Sequence, residues 1–68
     1  MKIDSNGTKY WFLNGVRHRE DGPAIEWSDG EKWWFLNDVL VTWKEVFRQA
    51  NGDLEKECRI LTYSLTTS

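Results

Sequence analysis

The stretch Asn6-Gly7-Thr8-Lys9-Tyr10-Trp11-Phe12-Leu13-Asn14-Gly15 returns 23 residues later as Asp29-Gly30-Glu31-Lys32-Trp33-Trp34-Phe35-Leu36-Asn37-Asp38. Six of the ten positions carry the same residue in both copies. Self-similarity at a fixed period indicates that one supersecondary unit is used more than once. The sequence therefore predicts two similar structural units in the N-terminal part of the chain.

Each copy is bounded by residues that favour tight turns. Asn6-Gly7, Asp29-Gly30 and Asn14-Gly15 favour two-residue type I′ turns, because both central positions of such a turn need positive φ. Asn37-Asp38 is a weaker form of the same signal. The aromatic and β-branched residues between the turns predict strands, which tight turns would join into an antiparallel meander. We expect strands near residues 2–5, 8–13, 16–18, 24–28, 31–36 and 39–41.

The hydrophobic pattern changes its period at Thr42. Thr42 and Glu45 have the spacing of a capping box, in which the two side chains bond main-chain amides of the first helical turn. Apolar residues then recur at helical spacing as far as Ala50, and Asn51-Gly52 is a plausible stop. We therefore predict a helix over residues 42–51.

The C-terminal residues fit two structures. Residues 54–65 have apolar side chains at helical spacing, but residues 59–65 also alternate as they would in a strand. We favour a short helix over residues 53–61, followed by a tail over residues 62–68 that frays at residues 66–68.

Together these patterns predict one domain over residues 1–68 that is mainly β and belongs to the α+β class. An antiparallel β-meander of about one and a half hairpin repeats is expected over residues 1–41. A helical cap over residues 42–61 is expected to close the array.

Composition limits the functions that the chain can have. Cys58 is the only cysteine, which excludes an intramolecular disulfide and indicates a reducing compartment such as the cytoplasm. One cysteine and one histidine cannot supply the four ligands of a structural zinc site, and we expect neither a metal nor a cofactor. The net charge of −2, with acidic and basic residues interleaved, argues against a nucleic-acid partner. No stretch approaches the roughly 20 apolar residues of a membrane span, and the N-terminus has no apolar signal sequence.

One part of the first copy carries a motif known from repeat proteins. Trp11-Phe12-Leu13-Asn14-Gly15, followed by His18-Arg19-Glu20-Asp21-Gly22-Pro23-Ala24, resembles the MORN-like β-hairpin repeats of bacterial, phage and giant-virus proteins. The resemblance covers about residues 5–41 and implies a β-hairpin scaffold that serves as an interaction surface. It ends after Asn37, where the predicted helix replaces the rest of a second unit. A chain this short is similar in style to phage-encoded inhibitors of host proteins.

No set of residues in the sequence indicates an enzyme. His18 is the only histidine, and the sequence identifies no nucleophile for it to activate. We interpret His18 as part of an exposed loop or strand end, and Cys58 as part of a solvated face. Glu20-Asp21 could bind a cation together with Asp29, but turn formation before Gly22-Pro23 is the favoured interpretation. We therefore expect a protein that is not an enzyme.

Strand alternation divides the aromatic residues of each copy between two faces. One face carries Trp11 and its counterpart Trp34, and the other carries Tyr10 and its counterpart Trp33. A single helix can cover only one face, so either the sheet curls on itself or an apolar face stays exposed and marks an interface. The residues expected in the core are Trp11, Phe12, Trp34 and Phe35. The residues expected to contact a partner are Tyr10, Trp27, Trp33, Arg17, His18 and Arg19.

These observations predict a small, non-enzymatic protein-binding module in the cytoplasm. Its expected partner is another protein. We favour a phage-type inhibitor or adaptor that acts on a host protein, such as a component of a defence system, in the host cytoplasm. One alternative is a carbohydrate or small-ligand module that uses exposed tryptophans. Another is a homo-oligomeric building block, for example a homodimer, because the edge strand of a short array must be covered.

Overall fold

A computed structural model describes residues 1–65, which form seven short strands and two helices. The strands are β1 (Lys2–Ile3), β2 (Lys9–Tyr10), β3 (Phe12–Leu13), β4 (Val16–Arg17), β5 (Ile25–Glu26), β6 (Lys32–Leu36) and β7 (Val39–Val41). The helices are α1 (Trp43–Ala50) and α2 (Leu54–Ser64). Every strand pairing is antiparallel, and this confirms the predicted α+β class in which a repeat sheet precedes a helical cap.

The strand order departs from a simple meander. Five strands form one sheet in the order β1-β2-β5-β6-β7, and β3 and β4 form a separate hairpin. In the sequence this hairpin lies between β2 and β5, which are neighbours in the sheet. The strands of the second copy therefore extend the sheet from β2 of the first copy. The hairpin of the first copy, β3–β4, lies outside this sheet.

The strand predicted over residues 8–13 is divided at Trp11. The main-chain N–H of Trp11 donates to Ala24 O at 2.8 Å, which continues the pairing of β2 with β5. The carbonyl of Trp11 accepts from His18 N–H at 3.2 Å, which continues the pairing of β3 with β4. Residues 9–13 thus pair first with β5 and then with β4, and this change of partner strand ends β2 before Trp11.

The repeat in the sequence is also a repeat of structure. Tyr10 pairs with Lys2 across β1 and β2, and Trp33 pairs with Ile25 across β5 and β6, in the equivalent register. The hairpins β3–β4 and β6–β7 also have equivalent registers. The pairing of β2 with β5 joins the two copies into one sheet.

The turns within the two hairpins have the predicted geometry. Asn14 and Gly15 have φ of 52° and 80°, and Asn37 and Asp38 have φ of 50° and 68°. Positive φ at both central residues is typical of a type I′ turn. The Asn-Asp pair of the second copy therefore adopts the same turn as the Asn-Gly pair of the first.

The type I′ prediction is wrong for Asn6-Gly7 and Asp29-Gly30, where only the glycines have positive φ, of 93° and 96°. In the first copy Asp4 N–H donates to Thr8 O at 3.0 Å, so the loop between the strands contains three residues. A loop of that length favours a type I turn followed by one left-handed residue, which glycine supplies.

The two helices differ from their predictions at two places. Thr42 makes no side-chain cap bond to α1, so the predicted capping box is wrong, and Glu45 instead accepts a bond from Arg48. Helix α2 begins after Asp53, whose side chain accepts from Lys56 N–H at 3.1 Å, and it continues to Ser64 through part of the predicted tail. The fraying predicted for residues 66–68 lies outside the described residues.

The buried side chains form two clusters, one on each face of the sheet. Trp34 packs with residues of both helices, and the members of this cluster are Trp34, Val46, Ala50 and Ile60. Phe35 points to the opposite face because it follows Trp34 in the strand, and its cluster consists of Ala24, Ile25 and Phe35. The second cluster contains no helical residue, so both helices cover the same face.

The core prediction holds for the second copy and not for the first. Trp34 and Phe35 are each only 3 % exposed, as predicted. Trp11 is half-buried, and Phe12 is 49 % exposed, so the prediction for Phe12 is wrong. Its hairpin is separate from the main sheet, and no helix packs on the face that carries Phe12.

The packing of α2 is testable at two adjacent residues. Ile60 is fully buried, whereas Leu61 is 44 % exposed. We expect Ile60→Ala to lower the free energy of unfolding by about 2–4 kcal/mol, because it leaves a cavity between α2 and the sheet. Leu61→Ala should cost about 0.5 kcal/mol. Urea unfolding followed by tryptophan fluorescence measures both, and equal losses would contradict this packing.

Candidate functional site

The face of the sheet opposite the helices carries a row of aromatic side chains. Cross-strand pairing places Tyr10, Ile25 and Trp33 side by side, because paired residues of antiparallel strands project from the same face. Residues two positions along each strand return to this face, and Leu40 joins it through its pairing with Phe35. We call this surface the aromatic face, and it comprises Tyr10, Phe12, Ile25, Trp27, Trp33, Phe35 and Leu40.

Ring contacts order the aromatic face. Tyr10 stacks on Phe12 with the ring centroids 6.3 Å apart, and Trp27 meets Trp33 edge-on at 5.4 Å. Such offset and edge-on pairs add to the stability that comes from burial alone. The rings therefore hold one another in position although no helix covers them.

A hydrogen bond from the first turn fixes the edge of the aromatic face at Tyr10. The Tyr10 hydroxyl donates to Asp4 Oδ2 at 3.1 Å, and Asp4 Oδ1 accepts from the N–H groups of Asn6 and Thr8. The hydrogen bond to the Asp4 carboxylate, helped by burial, raises the pKa of Tyr10. The same carboxylate thus closes the turn and orients the ring.

Arg17 lies on the aromatic face and keeps part of its side chain in solvent. Its Cζ is 4.3 Å from the centroid of the Phe35 ring, which is cation–π distance. Its Nε donates to Asp38 Oδ1 at 2.6 Å, and this bond lowers the pKa of Asp38. Arg17 is therefore a positioned cation that lies over the buried Phe35 ring and opposite the exposed Phe12 in the hairpin.

The aromatic face is exposed at three large apolar residues. Phe12 is 49 % exposed, Trp33 is 39 % exposed and Leu40 is 60 % exposed. The sequence prediction included Trp33 but missed Phe12 and Leu40. The signal for Leu40 is its place in the last strand before the helix, where the repeat pattern stops.

An open cleft of about 380 Å³ adjoins the aromatic face at Trp33 and Leu40. Its floor and walls come from the start of β6 and from the end of β7, where the chain enters α1. The residues that line it are Lys32, Trp33, Trp34, Leu40, Val41 and Thr42. Most of these side chains are apolar, and the ammonium group of Lys32 is the one charge among them.

The side chain of Arg19 contacts other residues of the protein and is nearly buried. Its Cζ lies 3.9 Å from the Trp11 ring centroid and 5.0 Å from that of Tyr63. Its guanidinium donates to Asp21 Oδ1 at 2.9 Å and to Glu26 Oε2 at 3.1 Å. Only 10 % of the side chain is exposed, so a partner could reach little of it.

His18 is also enclosed, contrary to its interpretation as an exposed residue. Its Nδ1 accepts the main-chain N–H of Asn37 at 2.9 Å, which requires the ring proton to be on Nε2 in the neutral form. Nε2 then donates to Glu20 Oε2 at 2.9 Å. A hydrogen bond from Lys56, together with the one from His18, lowers the pKa of Glu20. His18 therefore joins the second hairpin to the loop that precedes β5.

The predicted partner-binding residues thus fall into two groups. Tyr10, Trp27 and Trp33 lie together on the aromatic face with Arg17, whereas His18 and Arg19 bond within the protein. The turn predicted at Asp21 has a different basis, because the Asp21 carboxylate accepts bonds from two arginine side chains.

Metal binding and membrane insertion can be examined for residues 1–65. In this part of the chain no group of three or more His, Cys, Asp or Glu side chains could hold a metal ion. Neither α1 nor α2 is long and apolar enough to cross a membrane. Cys58 is exposed and reduced.

No family model, curated protein or solved structure matches this chain.

The contacts of Arg19 predict a large effect on stability. We expect Arg19→Ala to lower the free energy of unfolding by about 3 kcal/mol, because Glu26 would lose the cation that it bonds to and Asp21 would keep only Arg59. Arg19→Lys should recover only part of the loss. An ammonium group cannot stack on aromatic rings and bond to two carboxylates at once in the way that a planar guanidinium does. Denaturant unfolding provides the measurement.

Arg48→Ala is the matched control, because Arg48 is exposed and makes one long bond to Glu45. It should change the free energy of unfolding by less than about 0.5 kcal/mol. Equal effects of Arg19→Ala and Arg48→Ala would show that the ring and carboxylate contacts of Arg19 contribute nothing.

Proposed function

We propose that this protein is a non-enzymatic protein-binding module and that the aromatic face is its contact surface. The observation that supports the proposal most strongly is the exposure of Phe12, Trp33 and Leu40 on the face that the helices leave uncovered. A soluble chain rarely keeps large apolar side chains together at the surface unless a partner covers them.

The chemistry of the surface fits a protein partner. Aromatic side chains and arginine are the residues that most often carry binding energy in protein interfaces. Trp33 and Phe12 supply ring surface, and Arg17 supplies a cation held in place by Asp38. The rings are already ordered by their neighbours, which reduces the conformational entropy lost on binding.

Within this proposal, the module acts in the cytoplasm as an inhibitor or adaptor of another protein. We favour a phage-type inhibitor, whose target is a host protein such as a component of a defence system. The support for this narrower reading is the sequence resemblance to MORN-like hairpin repeats and the small size of the chain.

The carbohydrate alternative has less support from the geometry. It requires Trp11 and Trp34 to form a row of open rings, but Trp34 is 3 % exposed. The guanidinium of Arg19 covers the Trp11 ring. Trp33, next to Trp27, is the one tryptophan that counts as exposed among residues 1–65.

The test uses the double variant Phe12→Ser, Trp33→Ser. Wild-type protein should be a monomer in light scattering, and it should capture a specific protein from bacterial lysate. The captured protein is then purified, and its affinity for each variant is measured by calorimetry. The double variant should bind at least about tenfold more weakly, because it removes two exposed ring contacts.

Leu54→Ser is the matched control, because Leu54 is an exposed apolar residue of α2 away from the aromatic face. It should bind as wild type does, and circular dichroism should show that all three proteins are folded. Equal affinity of the double variant would contradict the assignment of the surface. A wild-type dimer that the double variant dissociates would favour the homo-oligomeric building block instead.

A further inference from the structure

The repeat leaves one strand position empty. In the first copy, β2 has β1 on one side and β5 on the other, and Lys9 and Tyr10 pair with Glu26 and Ile25 of β5. In the second copy, the corresponding residues of β6 pair with β5, which takes the place that β1 has in the first copy. The counterpart of β5 is missing, because the chain enters α1 where the next unit would begin.

The main chain of Lys32 faces this empty position. Glu31 O accepts from Trp27 N–H and Trp33 O accepts from Ala24 N–H, so both carbonyls point to the β5 side. Successive residues of a strand point their main-chain groups in opposite directions, so the N–H and C=O of Lys32 point away from β5. On that side the register of β7 begins only at Trp34. Among residues 1–65, no strand pairs with Lys32 there.

The cleft described above lies at the empty position. Lys32, Trp33 and Trp34 line it, and they are the counterparts of Lys9, Tyr10 and Trp11, the residues that β5 covers in the first copy. The opposite wall is the end of β7. Room for an additional strand is therefore present beside an unpaired strand edge, and such edges bind extended segments of other chains.

We propose that this cleft binds an extended strand of a partner protein with the pattern of Ala24-Ile25-Glu26, a small residue, an aliphatic residue and an acidic residue. The strand would lie antiparallel to β6, with its acidic residue opposite Lys32 and its aliphatic residue opposite Trp33. This inference rests on the proposed function and names the kind of segment that the module recognises.

The pattern follows from what β5 does in the first copy. Ala24 is fully buried next to Trp11, so a larger side chain would not fit at that position. Ile25 is buried beside Tyr10, and the aliphatic residue would lie beside Trp33 in the same way.

The charge follows from the same comparison. Glu26 is the cross-strand neighbour of Lys9 on one side and of Lys32 on the other, and its carboxylate itself bonds to Arg19. An acidic residue in the cleft would continue this alternation of charge, and opposite charges on adjacent strands attract. The first turn of α1, which no side chain caps, begins at the same cleft and also favours a negative charge.

The test is a nuclear magnetic resonance titration of the labelled full chain with a synthetic peptide. The peptide has the sequence of residues 22–28, Gly-Pro-Ala-Ile-Glu-Trp-Ser, with blocked ends. We expect its binding to shift the resonances of Lys32, Trp33, Leu40 and Val41. A second peptide, N-methylated at the acidic residue, should lose binding because it cannot donate its main-chain N–H to Lys32 O.

Charge reversal tests the recognition of the acidic residue. A peptide with Glu26→Lys should bind wild-type protein about three- to tenfold more weakly. The protein variant Lys32→Glu should reverse this preference. Arg48→Glu is the matched control, because it makes the same change of net charge on an exposed residue in the last turn of α1 that does not line the cleft, and it should keep the wild-type preference.

Each outcome bears on the inference separately from the proposed function. If the wild-type peptide shifts none of the cleft resonances, or if the N-methylated peptide binds equally well, the strand inference is overturned. Shifts of Lys2 and Ile3 that grow with protein concentration, without peptide, would assign the cleft to β1 of a second copy and would also overturn it. The proposed function is decided by the Phe12 and Trp33 variants, whichever of these results is obtained.

Discussion

The antiparallel pairing of β2 with β5 is the interaction on which the rest of the structure depends. It joins two copies of a 23-residue unit edge to edge, so that the residues of both copies alternate in phase across one sheet. Because the phase is kept, Trp34 of the second copy and Trp11 of the first lie on one side, and Trp33 and Tyr10 lie on the other. The sheet therefore has two apolar faces, and the remaining chain provides helices for only one of them.

The helices cover the Trp34 side, and Arg19 secures that arrangement. Its guanidinium contacts the rings of Trp11 and Tyr63, which joins the first copy to α2, and it forms ion pairs with Asp21 and Glu26. A cation with several acceptors and two ring contacts can stay nearly buried without an unpaired charge. The other side of the sheet has no such cover, and its rings shield one another only in part. The open face and the open strand edge thus have the same origin in an array that stops after its second unit.

Much of the fold could be predicted because the repeat, the hairpin turns and the change of period at Thr42 are local signals. The division at Trp11 could not, because it depends on which distant segments, Ala24 and His18, take its two main-chain groups. The same limit applies to the candidate site. Alternation predicted that Tyr10 and Trp33 share a face, but only tertiary packing shows which face the helices cover. His18 and Arg19 are predicted to contact a partner because a charged run looks solvated, whereas each also bonds to a residue far along the chain, Asn37 for His18 and Tyr63 for Arg19.

Amide hydrogen exchange at Lys9 and Lys32 tests the account most directly. The two residues hold equivalent positions in the repeat, and the main-chain groups of Lys9 point to β5 while those of Lys32 point to the cleft. We expect the amide of Lys9 to exchange slowly and the amide of Lys32 to exchange at nearly the rate of an unstructured chain. Equal protection of the two amides in the isolated protein would contradict the open edge, and with it the conclusion that the array ends in an unfilled strand position.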